Sequence, residues 1–102
     1  MHNTVIENQK SILSLCRQYH VKQLDLFGSA LSDAFDTESS DIDLLVEFLP
    51  LPSGRRADAY FGLLEQLETL LQRPIDLVCV RAVRNPYFLD AIRVNRSTLY
   101  AA

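Results

Sequence analysis

Three aspartates and a Gly-Ser pair are the residues of this chain whose types and spacing could do chemistry. Asp41 and Asp43 stand two apart in Ser40-Asp41-Ile42-Asp43-Leu44-Leu45-Val46. On a strand the side-chain period is two, so both carboxylates point to one face, about 7 Å apart at their Cα atoms. Ile42, Leu44 and Val46 then point to the opposite face, into a core. Like charges that close repel unless a cation neutralises them, and hard oxygen ligands suit Mg²⁺ or Mn²⁺. Asp76 is a third carboxylate, set between Ile75 and Leu77 in an otherwise apolar stretch, where an ionised group needs a partner. Three carboxylates on one face can clamp two metal ions, the arrangement that stabilises the attacking and leaving oxygens of a phosphoryl displacement. Gly28-Ser29 supplies the complement. Glycine lets backbone approach a phosphate, and a serine at a helix start adds a hydroxyl and unpaired N–H groups that bind anions.

The elements that must position these residues follow from periodicity. Residues 3–19 read as an amphipathic helix with Ile12, Leu15, Cys16 and Tyr19 on one face. Residues 22–27 read as a strand ending at Gly28, and Ser29 can cap a helix of about one turn over 30–34. Residues 35–40 are a polar loop and 41–48 a second strand, ended by Pro50 and Pro52. A helix then opens at Ser53, a candidate N-cap, with Tyr60, Leu64, Leu67 and Leu71 as its stripe, and stops at Pro74. Residues 75–80 form a third strand. Asn85-Pro86 starts a last helix over 86–100, with Phe88, Ile92 and Leu99 inward. The helix between the second and third strands is what a parallel crossover requires. The expected class is α/β (or α+β): a small mixed sheet of about three or four strands flanked by helices, in one domain spanning 1–102.

Composition narrows the rest. The chain has 102 residues, 48% hydrophobic and 23% charged, the balance of a folded domain and not of a disordered one. No apolar run reaches membrane-span length, and no signal-peptide pattern opens the chain, so a cytoplasmic location is expected. Cys16 and Cys79 lie in apolar segments and read as free buried thiols. With His2 and His20 they have no zinc-site spacing. The net charge of −3 argues against general nucleic-acid binding, but it is unevenly spread: +2 over residues 1–22, −7 over 23–54 and +2 over 55–102. An acidic block between basic flanks fits carboxylates that hold cations.

Leu26-Phe27-Gly28-Ser29, Asp41-x-Asp43, Ile75-Asp76-Leu77-Val78 and Asn85-Pro86-Tyr87-Phe88 together resemble the minimal nucleotidyltransferases (MNT) of the DNA polymerase beta superfamily. The resemblance runs over nearly the whole chain. It implies transfer of a nucleoside monophosphate, AMP from ATP, with two Mg²⁺ ions and release of pyrophosphate. Gly28 and Ser29 would hold the triphosphate, Asp41 and Asp43 both metals, and Asp76 the metal that activates the incoming hydroxyl. It further implies a HEPN-domain ribonuclease toxin as partner, adenylylated on a hydroxyl (a tyrosine), with this chain as antitoxin. The spacer ALSDAFDTESS holds 11 residues where the common form has ten; an extra loop residue costs little, so the site should survive it. The chain lacks the acceptor domain of larger relatives, which favours a macromolecular acceptor over a small molecule or RNA.

Plainer roles stand beside these. Asp41 and Asp43 alone would serve as solvated charges at a strand edge, Asp76 as an ion-pair partner of Arg73 or Arg81, and Ser29 as a helix cap. Arg55-Arg56 reads as an exposed pair that opposes the helix dipole, or as a contact to triphosphate or partner. Asp25 breaks an apolar strand and belongs to no motif; an edge position would account for it. A non-catalytic antitoxin that masks its partner by binding is the alternative function, and a fold this small leaves apolar surface for a homodimer or a complex with the partner.

Overall fold

A computed structural model describes residues 3–28, 42–94 and 96–102. The element order is α1 (Asn3–Glu7), α2 (Gln9–Gln18), β1 (Val21–Phe27), β2 (Ile42–Phe48), α3 (Ser53–Leu71), β3 (Ile75–Cys79), α4 (Pro86–Val94) and β4 (Arg96–Ala101), with a 3-10 turn at Val80–Ala82. Four strands form one mixed sheet in the order β3-β2-β1-β4. β1 runs antiparallel to both β2 and β4, while β2 and β3 are parallel across the α3 crossover.

The expected first helix is broken at Asn8. Its side-chain amide donates to the Thr4 carbonyl at 2.7 Å, competing with the backbone ladder as Asn side chains do. α3 begins at Ser53 with Pro52 as the cap residue and no side-chain cap bond, so Ser53 is the first helical residue and not the N-cap. Its end matches the expectation: Gln72 turns left-handed (φ 57°) and donates its N–H to the Glu68 carbonyl, two residues before Pro74. At α4 the Asn85 carboxamide oxygen accepts from the Tyr87 N–H at 2.9 Å, the capping bond that Asn-Pro foretells.

The largest correction lies at the C-terminal end. The last helix stops at Val94, and residues 96–101 are a strand on the outer side of β1. Leu99 still packs on the core, from the sheet instead of from a helix. Phe88, expected inward, is exposed, whereas Ile92 is buried. β1 is therefore an interior strand, and Asp25 does not sit at an edge.

α2 and α3 cover one face of the sheet. Ile12, Cys16, Leu63, Leu67 and Leu71 pack there against Leu24, Leu26, Ile42, Leu44, Val46, Ile75 and Leu77. The stripe on α3 is centred on Leu63, Leu67 and Leu71, with Tyr60 and Leu64 at its flank. The other face carries Gln23, Asp25 and Phe27 from β1, registered with Glu47, Leu45 and Asp43 of β2, because cross-strand partners share a face. The turn at Val80–Ala82 packs against β2, and Leu45 is buried on that face.

Candidate active site

β1 ends, and β2 and β3 begin, at the same end of the sheet. Phe27 is registered with Asp43, and Asp43 with Asp76. Two carboxylates thus project to one face from adjacent strands, whose backbones lie about 4.8 Å apart. Asp43 is half-buried and Asp76, on the edge strand, is exposed. The core alternation of Ile42, Leu44, Ile75 and Leu77 fixes this, since a slip of one residue would turn both carboxylates into the core.

Gly28 closes the site against Asp43. Its φ is +74°, and a Cβ there would fall onto a carboxylate oxygen of Asp43 and within 3.2 Å of its Cγ. Only glycine offers both the left-handed turn and the space. The space that a side chain at position 28 would need is thus taken by the Asp43 carboxylate, which packs directly on the backbone of the turn. Ser29, Asp41 and the short helix expected over 30–34 lie outside the described residues. Among the described residues no three His, Cys, Asp or Glu side chains group as metal ligands; Asp43 and Asp76 are the two of the expected set that are described.

Tyr60 supports the edge beside Asp76. Its hydroxyl donates to the Leu77 carbonyl at 2.5 Å. Burial raises its pKa above the usual tyrosine value, with the neighbouring charges of Asp76 and Cys79 adding to the shift. Tyr60 therefore stays a donor at neutral pH and pins the strand that carries Asp76.

Arg55 and Arg56 are exposed, as expected of a surface pair. Arg56 lines a groove of about 410 Å³ with Phe48, Tyr60, Cys79 and Arg81, at the far ends of β2 and β3 from the carboxylates. Arg55 lines a second recess with His20, which precedes β1. Neither arginine is placed at the Gly28 end of the sheet. Cys16 and Cys79 are both free thiols; Cys16 is buried and Cys79 half-buried.

The burial and pairing of Asp25 were not foreseen from the sequence. Asp25 is only 2% exposed, yet its carboxylate accepts from Arg96 Nη1 at 3.0 Å and from Gln23 Nε2 at 3.0 and 3.1 Å. The signal available in the sequence was the lone carboxylate in an apolar strand; its partner was hidden because Arg96 fell inside the helix expected over 86–100.

Comparison with known proteins agrees with this geometry. The model of the nucleotidyltransferase domain family matches residues 9–98. A Methanocaldococcus jannaschii protein, provisionally named a protein adenylyltransferase, is 38% identical over 88 residues, covering 86% of this chain and 84% of its own. A solved structure provisionally described as a minimal nucleotidyltransferase superposes with a TM-score of 0.77 at 28% identity, covering 95% of each chain. The fold is also shared with a chain from the complex of a tri-AMPylated Shewanella oneidensis HEPN toxin with an MNT antitoxin (TM-score 0.66, 22% identity, 95% of this chain and 72% of that one).

Proposed function

This chain belongs to the nucleotidyltransferase domain family, and on that footing we propose that it transfers AMP from ATP to a hydroxyl of a protein partner. The partner we assign is a HEPN-type ribonuclease toxin, which the transfer would silence. The reading is carried by one observation: Asp43 and Asp76 are side by side on one sheet face, with the bare backbone of Gly28 against Asp43. The M. jannaschii relative's name and the AMPylated toxin in the Shewanella complex support the protein acceptor and the partner class.

The donor set fits Mg²⁺: hard carboxylate oxygens on adjacent strands at a strand start. Asp41, Asp43 and Asp76 would hold two such ions, which when bound neutralise the triphosphate and lower the pKa of the attacking hydroxyl. Gly28 and Ser29 would seat the triphosphate. Asp43, between Phe27 and Asp76 in the sheet register, would face the α-phosphate. Asp76, on the exposed edge, would face the acceptor. The acceptor oxygen bonds to the α-phosphorus, the bond from that phosphorus to the oxygen bridging to the β-phosphorus breaks, and pyrophosphate leaves with that electron pair. The acceptor proton passes to the exposed side of the site, where Asp76 and solvent can take it. The exposed edge at Asp76 suits a partner that brings its own surface. The compact single unit, with no helix long and apolar enough to cross a membrane among the described residues, is compatible with a cytoplasmic role.

The test is label transfer from ATP carrying ³²P at the α-phosphate, with Mg²⁺, into a lysate of the source cells. Wild type and Asp43→Asn run side by side. A protein band labelled by wild type alone is the expected result and gives the partner's mass. Label confined to RNA or small molecules would overturn the protein acceptor. A second reading, masking without catalysis, draws on the exposed apolar side chains of α4, where Tyr87 is 82% and Val94 78% exposed. It requires that folded Asp43→Asn still neutralise the toxin in cells.

A further inference from the structure

The groove of about 410 Å³ lies between α3 and the outer strand β3. β3 ends the sheet on this side, in the order β3-β2-β1-β4. Arg56, Ala57 and Tyr60 line it from α3, and spacings of three and four residues put them on one helix face. Leu77 and Cys79 line it from β3, and Phe48 adds a second aromatic ring. A concave, mainly apolar surface of this size with a few polar groups at its rim is the usual form of a binding site.

Two guanidinium groups flank the apolar walls. Arg56 comes from the start of α3 and Arg81 from the turn after β3. Both are exposed, and among the described residues neither has an ion-pair partner. Arg56 stands where the helix dipole disfavours a cation, so helix stability does not account for it. An apolar cleft edged by two unpaired cations complements an apolar side chain flanked by carboxylates. A second copy of this chain is a poorer match, because a symmetric contact through the groove sets the same arginines against each other.

The groove adjoins the acceptor end of the candidate site. Leu77 directly follows Asp76, and Cys79 lies about 10 Å along the strand from it. Tyr60 joins the two places. Its hydroxyl donates to the Leu77 carbonyl at 2.5 Å. Its pKa is raised by burial first and by the charge of Asp76 next, so the groove wall and the carboxylate are electrostatic neighbours. A chain segment seated beside Tyr60 comes within a few residues' reach of Asp76.

We propose that this groove is the recognition subsite for the acceptor protein, taking a segment in which an aromatic or aliphatic side chain stands beside Asp or Glu. This rests on the nucleotidyl-transfer reading. The apolar side chain enters among Phe48, Tyr60 and Leu77, as an interface anchor does. The neighbouring carboxylates pair with Arg56 and Arg81. The acceptor hydroxyl, a few residues away in the same partner, reaches Asp76. The groove thus decides which protein is modified and takes no part in the chemistry.

The test uses the full chain, ATP carrying ³²P at the α-phosphate with Mg²⁺, and the protein that wild type labels in the source-cell lysate, purified as substrate. Arg56→Glu/Arg81→Glu reverses both charges. A glutamate at the start of α3 suits the helix dipole, so Tm should not fall. Ala57→Trp is the second variant and fills the groove from an exposed helix position without changing charge. We expect each to raise KM for the acceptor protein about tenfold or more, with kcat and ATP affinity changed less than about twofold. Added salt should raise the wild-type KM more steeply than that of the charge-reversed variant. Arg55→Glu makes the same charge change one residue away, on the recess that holds His20, and its KM should match wild type. An unchanged KM in either groove variant overturns the proposal. An equal rise in Arg55→Glu, or a matching loss of ATP affinity in the groove variants, overturns it as well. A wild-type dimer that the groove variants abolish would give the groove to a second copy and overturn it too. Wild type that labels no protein overturns the protein-acceptor reading and this inference together.

Discussion

Gly28→Ala tests the closest contact of the site at the cost of one methyl group. The methyl must enter the space held by the Asp43 carboxylate, at a backbone angle that L side chains avoid. We expect a stability loss of about 1–3 kcal/mol in urea denaturation and transfer activity reduced by two orders of magnitude or more. Asp43→Asn should leave the unfolding curve in place and abolish the label. Cys16 makes a different residue-level prediction. Burial pushes its thiol up from 9.0 to about 12. The folded state therefore holds a proton that the unfolded chain releases above its ordinary value, so this group adds no pH dependence below about pH 8 and lowers stability as pH rises from about 9 towards 12. In the native protein a thiol reagent at pH 8 should label Cys79 first and Cys16 only on unfolding.

At the scale of elements, most of the chain was legible because the period of its apolar residues matches what each element buries. β2 and β3 could be read with their carboxylates facing one way, since Ile42, Leu44, Ile75 and Leu77 leave one register that keeps the core dry. The stop at Pro74 and the cap at Asn85 are local chemistry and needed no tertiary knowledge. β4 was illegible for the opposite reason. Phe88, Ile92 and Leu99 fall at helical spacings, Asn95 is a weak punctuator, and Arg96–Ala101 carries a single β-branched residue. What makes that segment a strand is the free edge of β1, about 70 positions earlier, together with the Asp25 carboxylate waiting there. Misreading it also moved Asp25 to an edge. Of the expected site residues, Gly28, Asp43 and Asp76 lie where their strand context puts them, Ser29 and Asp41 lie outside the described residues, and the Asp25–Arg96 pair could not be placed without the β1–β4 pairing. Asn85→Ala should fray α4 and cost about 1 kcal/mol, read as lost helicity and a lower urea midpoint.

For the molecule as a whole, the radius of gyration of 13.0 Å is that of a compact chain of this length, and the sheet is its organising unit. Removing residues 95–102 turns β1 into an edge and leaves Asp25 buried without its arginine. Breaking a buried pair from one side costs about 3–5 kcal/mol, before the lost ladder is counted, in a domain whose total stability is of the order of 5–15 kcal/mol. We expect the truncated chain to lose cooperative thermal unfolding by near-UV circular dichroism while retaining part of its helical signal. Arg96→Met alone should show the same direction more mildly, and Asp25→Leu on top of it should restore the transition.

The pairing of β4 with β1 also has a meaning in time. A ribosome delivers β1 early and β4 last among these elements, so the strand that ends in Gly28 waits beside an unfilled edge for most of the chain's synthesis. Until the final strand emerges, the nascent polypeptide carries its carboxylates and its glycine turn but has neither a closed sheet nor a seated arginine. Translation arrested short of β4 would yield a chain that carries Gly28, Asp43 and Asp76 but leaves the outer edge of β1 unpaired and Asp25 buried without its arginine.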